Sequence, residues 1–366
     1  MSDFNGSEML EKGWGKNTSS SPQLDPRSKA EIIIQATFMV IIMLSSILGN
    51  ILILLAIKRT RSLQSITSVF IANLAVADFL LAVIGMPFTM TSSITYDWIF
   101  GPFWCKLNGM ANSVFCIASM LSLAAVSIDR YFAIITPLKY PMLMTPRMAF
   151  MLVAWVWLQS LLCGFLPIFG WCRYTYITNE SICTAEWGSS IPYTMFIFGA
   201  CFFAPLLVMF YSYYHILLAA RRHARQMALK VGDIATPLKT AVAITLPSAD
   251  NNAKRKREER EAKFKSDTKA AKTLLIVMGT FLFCWSPHFI GMTCLLFPSC
   301  QWPDWFFATT TWLAMMNSGC NPILYGVLNR RFRRSFIEII CCGRKSRRVE
   351  IDHSFYHVER SNERED

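Results

Sequence analysis

The chain has 366 residues, 53% of them hydrophobic and only 16% charged, where a soluble domain carries about 25% charged residues. The charge is gathered at the ends and in a few short stretches, with long apolar runs between them. This excludes a soluble protein with one large core and implies an all-α membrane protein. The formal net charge of +12 is explained by its placement beside these runs, so nucleic-acid binding is not expected.

A membrane span needs about 20 mostly apolar residues. Seven such runs follow in chain order, at roughly 32–57, 67–92, 105–135, 147–170, 190–218, 272–297 and 304–327. The first ends in "LLAIKRTR" without a small-residue cleavage site, so it reads as a span and not as a cleaved signal. Residues 1–31 form a tail before it. Lys58, Arg59 and Arg61 follow span one, Lys139 and Arg147 follow span three, and a basic loop over about 222–266 joins spans five and six. "NRRFRRSF" follows span seven. The positive-inside rule puts all of these in the cytoplasm, and the N-terminus outside. Three glycosylation acceptors, Asn5, Asn17 and Asn179, then fall on the outer side. Residues 329–342 read as an amphipathic helix on anionic membrane lipid. Cys341 and Cys342 at its end suit palmitoylation, and residues 343–366 form a cytoplasmic tail. Ser335, Ser346, Ser354 and Ser361 are candidate phosphorylation sites.

Two groups of residues inside the spans need an explanation. Asp78 is an ionisable residue within an apolar run, which is costly and by default marks function. Asn50, Ser119, Asn317, Ser318 and Asn321 are its expected polar neighbours. Span three begins near Cys105 and ends on Asp129 and Arg130, eighteen residues after Asn112. At 1.5 Å per residue that separation is about 27 Å, so the two ends of one helix serve opposite faces of the membrane. No triad or metal cluster of an enzyme is visible.

The motifs "GNILIL", "LAVADF", "SIDRY", Trp157, Pro205 with Tyr213, "FLFCWSP" and "NPILY" occur in order on the seven spans. Together they resemble the rhodopsin-like (class A) G-protein-coupled receptors over about residues 48–342. The resemblance implies a seven-helix bundle, a signalling rather than enzymatic role, and a plasma-membrane location. It implies a disulfide between Cys105 and Cys183, leaving Cys172 either to pair elsewhere, as with Cys300, or to stay free. It also implies a sodium site at Asp78, Ser119, Asn317 and Asn321; a protonated, hydrogen-bonded Asp78 is the alternative.

The activation residues carried over are Asp129, Arg130, Tyr213, Asp267, Phe281, Trp285, Pro287 and Tyr325. Arg130 would be held by Asp129 and by Asp267 at the inner end of span six. Freed, it would contact a heterotrimeric G protein, with Leu138 as the apolar knob. Arrestin and receptor kinases are further implied partners.

The ligand positions are Asn112, Cys116, Ile197, His288, Phe289, Met292, Thr311 and Met315, together with Phe88. Amine receptors carry an aspartate where this chain has Asn112, so an ammonium loses its usual ion-pair partner. Opsins carry a retinal-binding lysine where it has Met315, so no retinal is expected. "KAAKTLLIVMGTFLFCW" nevertheless resembles the amine-receptor branch, and "LPIFGW" with "CTAEW" resembles its orphan members. Two expectations stand: an orphan receptor with high basal activity, leaning to the stimulatory G-protein class, or a receptor for a biogenic amine or other small molecule. A non-signalling scaffold or transporter is the reading outside the class.

Overall fold

The computed structural model describes residues 27–234, 272–273, 275–294 and 302–341. Seven long helices form an antiparallel bundle, followed by a short one: α1 (Lys29–Arg59), α2 (Ile66–Thr95), α3 (Gly101–Ile135), α4 (Pro146–Phe165), α5 (Ile191–Arg222), α6 (Leu275–Cys294), α7 (Asp304–Leu328) and α8 (Arg330–Ile340). The first six are long and apolar enough to cross a membrane. α7 is interrupted by Thr, Ser and Asn that face inward. Leu158, Leu207, Ile33 and Phe203 sit exposed on the outside of their helices, while Asn50, Asp78 and Asn321 are buried inside. That inversion of the soluble pattern is what a hydrocarbon solvent requires.

Local chemistry sets the helix ends. Ser28 and Glu31 close a capping box at the start of α1, satisfying two otherwise orphaned donors. Thr145 caps α4 ahead of Pro146, and Asn329 caps α8. α4 stops at Phe165, short of the expected 170, because Pro167 cannot continue the ladder. α2 and α5 each contain a π turn, at Leu81–Gly85 and Phe198–Phe203. Both lie just before a proline, Pro87 and Pro205, whose missing N–H releases a carbonyl one turn earlier. The widened turn accommodates that loss inside the helix.

α3 is the central helix: 78% of its apolar window is buried, against 28% for α1 and for α4. α1 and α7 pack closely because a Cβ at Gly49 would lie 2.6 Å from the Pro322 ring. Between α4 and α5 the chain makes an antiparallel hairpin, β1 (Tyr174–Ile177) with β2 (Ile182–Ala185), in the register Tyr174 to Ala185 and Ile177 to Ile182. Ser181 takes a left-handed conformation, φ 54°, to reverse the chain. The hairpin lies across the end of the bundle where α3 begins. Tyr174 donates to the Gly164 carbonyl at 2.8 Å, and Cys183 of β2 is disulfide-bonded to Cys105 with Cα atoms 5.3 Å apart.

Cys172 is buried and free, so of the two alternatives for it the unpaired one holds. Among the described residues Cys294 is also disulfide-bonded. The Cys105–Cys183 bridge closes a loop of sequence separation 78, for which the chain-entropy argument gives roughly 4–5 kcal/mol. Cys105→Ser should therefore lower the melting temperature of purified protein sharply; an unchanged melting curve would count against a structural role.

Candidate functional site

Three sites line up along the bundle. The first is a cavity of about 120 Å³ near the Cys105 end, between α3, α5, α6 and α7. Asn112, Cys116, Ile197, His288, Phe289, Met292, Thr311 and Met315 all line it. Phe88 does not: it packs in an aromatic cluster with Trp98, Phe100 and Trp104, at ring separations of 5.8, 4.8 and 6.2 Å. The π turn shifts the residues after Leu81 relative to a regular helix, so α2 offers Leu81 to the cavity and sends Phe88 elsewhere. Asn112 donates to Asn108 Oδ1 at 3.0 Å. Its own Oδ1 points at Gly85 of α2, where any Cβ would collide with it. The hairpin adds Glu180, Ile182 and Thr184 to the wall. No periodicity in the sequence marks these loop residues as cavity-lining.

The cavity floor is aromatic. Phe202 and Phe289 stack with centroids 3.6 Å apart, Trp285 lies 5.9 Å from Phe289, and Phe281 lies 6.1 Å from Trp285. Phe281 is fully buried among the core side chains of α3, α5 and α6. Pro287 lies within α6, two residues beyond Trp285.

The second site is the buried carboxylate. Asp78 accepts from Ser119 Oγ at 2.9 Å, Ser318 Oγ at 3.1 Å and Asn321 Nδ2 at 2.7 Å. Asn50 is a neighbour through α7 and not through the carboxylate, since its Nδ2 donates to the Ser46 and Ser318 carbonyls. Asn317 is buried and its Oδ1 has no partner among the described residues. A carboxylate, hydroxyls and an orphaned amide oxygen form a hard-oxygen donor set, so these residues fit a small alkali cation. Asn73 and Trp157 brace the neighbourhood: Trp157 donates to Asn73 Oδ1 at 2.8 Å, and Asn73 donates to Ser122 at 2.7 Å.

The third site is at the far end of α3. Arg130 binds Asp129 through Nε at 3.0 Å and Nη2 at 2.6 Å, and Nη2 also contacts the Thr67 hydroxyl. Thr67 donates to Asp129 Oδ2 at 2.6 Å, and Tyr140 donates to Asp129 Oδ1 at 2.7 Å. Burial, with the Asp129 charge adding to it, pushes the Tyr140 phenol up to about 12. Thr67 and Tyr140 were not among the expected partners. A threonine on α2 and a tyrosine on the loop between α3 and α4 carry no signal until the fold brings them to Asp129. Asp267 lies outside the described residues.

A second cavity, of about 270 Å³, opens beside this cluster and is lined by Arg130, Tyr140, Tyr325 and Phe332. Tyr213 and Tyr325 are buried, and the Tyr325 hydroxyl has no partner among the described residues. Leu138 is 85% exposed.

On α8, Phe332 and Phe336 pack beneath Tyr325, and Cys341 is exposed at the end. Ser335 corrects an expectation. It is buried and shares a 2.7 Å hydrogen bond with the Thr60 hydroxyl of the α1–α2 connection, so a kinase cannot reach it in this fold. Asn179 is exposed. Asn5, Asn17, Cys300, Cys342, Ser346, Ser354 and Ser361 lie outside the described residues.

The family model described as 7 transmembrane receptor (rhodopsin family) matches residues 49–325. The octopamine receptor beta-2R of Drosophila melanogaster is 32% identical over 336 residues, covering 85% of this chain and 61% of that protein, under two thirds of its length. The 5-hydroxytryptamine receptor 4 of Cavia porcellus is 32% identical over 326 residues, covering 85% of this chain and 80% of that one. The crystal structure of squid rhodopsin superposes with a TM-score of 0.75 at 25% identity, over 93% of this chain and 96% of that one. The motif set, the seven-helix bundle and these matches agree: the chain is a multi-pass membrane protein that belongs to the rhodopsin family of seven-transmembrane receptors.

Proposed function

We propose that this chain signals through heterotrimeric G proteins, from a ligand cavity at the outer surface to the Arg130 cluster in the cytoplasm. The observation that carries the reading is α3 itself: one buried helix bears Asn112 and Cys116 in the cavity, Ser119 on Asp78, and Arg130 in the inner cluster. Asp129, Thr67 and Tyr140 hold Arg130 in the resting state. A ligand pressing on Phe289 and Trp285 moves the aromatic stack, and α6 swings about Pro287, whose missing backbone bond lowers the cost of bending. Tyr213 and Tyr325 then turn toward Arg130, which is released to the G-protein α subunit beside Leu138.

Asp78, Ser119, Asn317 and Asn321 would hold a sodium ion in the resting state. The ion supplies the positive charge that offsets a buried carboxylate. The amine-receptor relatives favour a biogenic amine as the activating ligand, and basal signalling without ligand goes with the orphan resemblance. Cys341 is exposed for acylation, which would fix α8 on the inner leaflet of the plasma membrane. Phosphorylation and arrestin binding belong to the tail beyond α8.

The test is a basal second-messenger assay in cells expressing the chain. Cyclic AMP should rise above that of mock-transfected cells, in keeping with the stimulatory class. No response through any G protein at confirmed surface expression sinks the reading.

A further inference from the structure

We propose that Glu180, in the hairpin turn, is the anionic anchor for an ammonium-bearing ligand, replacing the carboxylate that α3 lacks at Asn112. This rests on the reading of the cavity as the ligand site. Glu180 ends a single 3₁₀ turn, Thr178–Glu180, between β1 and β2. The turn packs against α7. Asn179 faces solvent, but Glu180 is only 2% exposed and lines the cavity together with Asn112, Tyr193, Trp285 and His288.

The Glu180 carboxyl has no hydrogen-bond or ion-pair partner among the described residues. Burial alone pushes it up to about 8. A desolvated acid without a partner is costly, and nearby positive charge removes that cost. Among the described residues no lysine or arginine lines the cavity, and an ammonium-bearing ligand supplies the positive charge.

The remaining lining suits the same guest. Trp187, Tyr193, Trp285 and Phe289 are among the lining residues, and aromatic rings attract an ammonium through their quadrupoles. His288 Nδ1 is buried with no partner among the described residues and is a further acceptor in the neutral tautomer that carries its proton on Nε2. An anionic ligand would meet a carboxyl and no cation. A metal ion would lack ligands, since the described residues contain no cluster of three His, Cys, Asp or Glu. The ion-pair partner missing from α3 is thereby supplied from a loop.

The experiment measures the thermal stability of purified full-length receptor with a panel of arylethylamines and their uncharged arylethanol counterparts. The ammonium compounds should raise the melting temperature of the wild type, and the alcohols should not. Glu180→Gln, which keeps the shape and removes the charge, should weaken the amine response at least about thirtyfold. Glu180→Asp should retain part of it. The proposal is overturned if no amine of the panel shifts the wild type, if alcohols act equally, or if Glu180→Gln responds like the wild type. The amine–alcohol comparison needs no variant, so it decides even if the substitutions misfold. Thermal shift reads binding without a G protein: intact basal signalling with no charge dependence refutes the anchor, and the converse refutes the coupling.

Discussion

Asp129→Asn should raise basal signalling at least about fivefold at equal surface expression. Asp129 is fully buried and joins three side chains: it binds Arg130 at 2.6 Å, accepts from Thr67 and Tyr140, and so ties α3 to α2 and to the loop before α4. An exposed ion pair contributes little, but this one is shielded, with the arginine side chain 11% exposed. Breaking a buried pair leaves an uncompensated charge at a cost of about 3–5 kcal/mol. Only the part that differs between resting and active states biases signalling, and a typical coupling of about 1–3 kcal/mol is a factor of roughly 5–150. Tyr140→Phe removes one charged hydrogen bond and should give a smaller rise in the same direction. The measurement is ligand-free second-messenger output normalised to receptor at the surface. Unchanged output for Asp129→Asn would mean that the cluster is interfacial structure with no part in switching.

The parts of this molecule that are legible in the sequence are those set by solvent and by helical period. Apolar runs located the spans to within a few residues. The eighteen-residue separation on α3 put Asn112 in one cavity and Arg130 beside another. What was hidden depends on contacts between distant segments. Phe88, expected in the cavity from the family resemblance, packs instead with Trp98, Phe100 and Trp104, beyond the π turn at Leu81–Gly85. Ser335 looked like an ordinary tail serine, and only the packing of α8 against Thr60 buries it. Glu180 stands inside the "NES" acceptor, where attention goes to Asn179. Nothing local indicates that the turn sends one side chain outward and the next into the bundle. Thr67 and Tyr140 are 62 and 11 residues from Asp129, so no helical or strand period connects them to it.

Asp78→Asn should abolish stabilisation by sodium while leaving the fold intact. The carboxylate accepts three hydrogen bonds, from Ser119, Ser318 and Asn321, all at 3.1 Å or less. Three neutral donors delocalise a negative charge but do not neutralise it, and in an apolar bundle the residual cost is large. Either a cation or a proton must carry the balance, and the two have different signatures. A bound cation stabilises the folded state by RT ln(1 + [L]/Kd), about 1.4 kcal/mol when the ion is at tenfold its dissociation constant. For a bundle of this size that is roughly 1–3 °C in melting temperature. Wild-type protein should therefore melt higher in sodium chloride than in N-methylglucamine chloride at equal ionic strength. Asp78→Asn, which keeps shape and hydrogen-bonding capacity without the charge, should melt at the same temperature in both. Asn317→Ala should lower the apparent sodium affinity, since the Oδ1 of Asn317 is buried with no partner among the described residues and is free to ligate the ion. Equal melting of the wild type in the two salts would assign the balance to a proton, and Asp78 would then be a neutral member of the hydrogen-bond network between α2, α3 and α7.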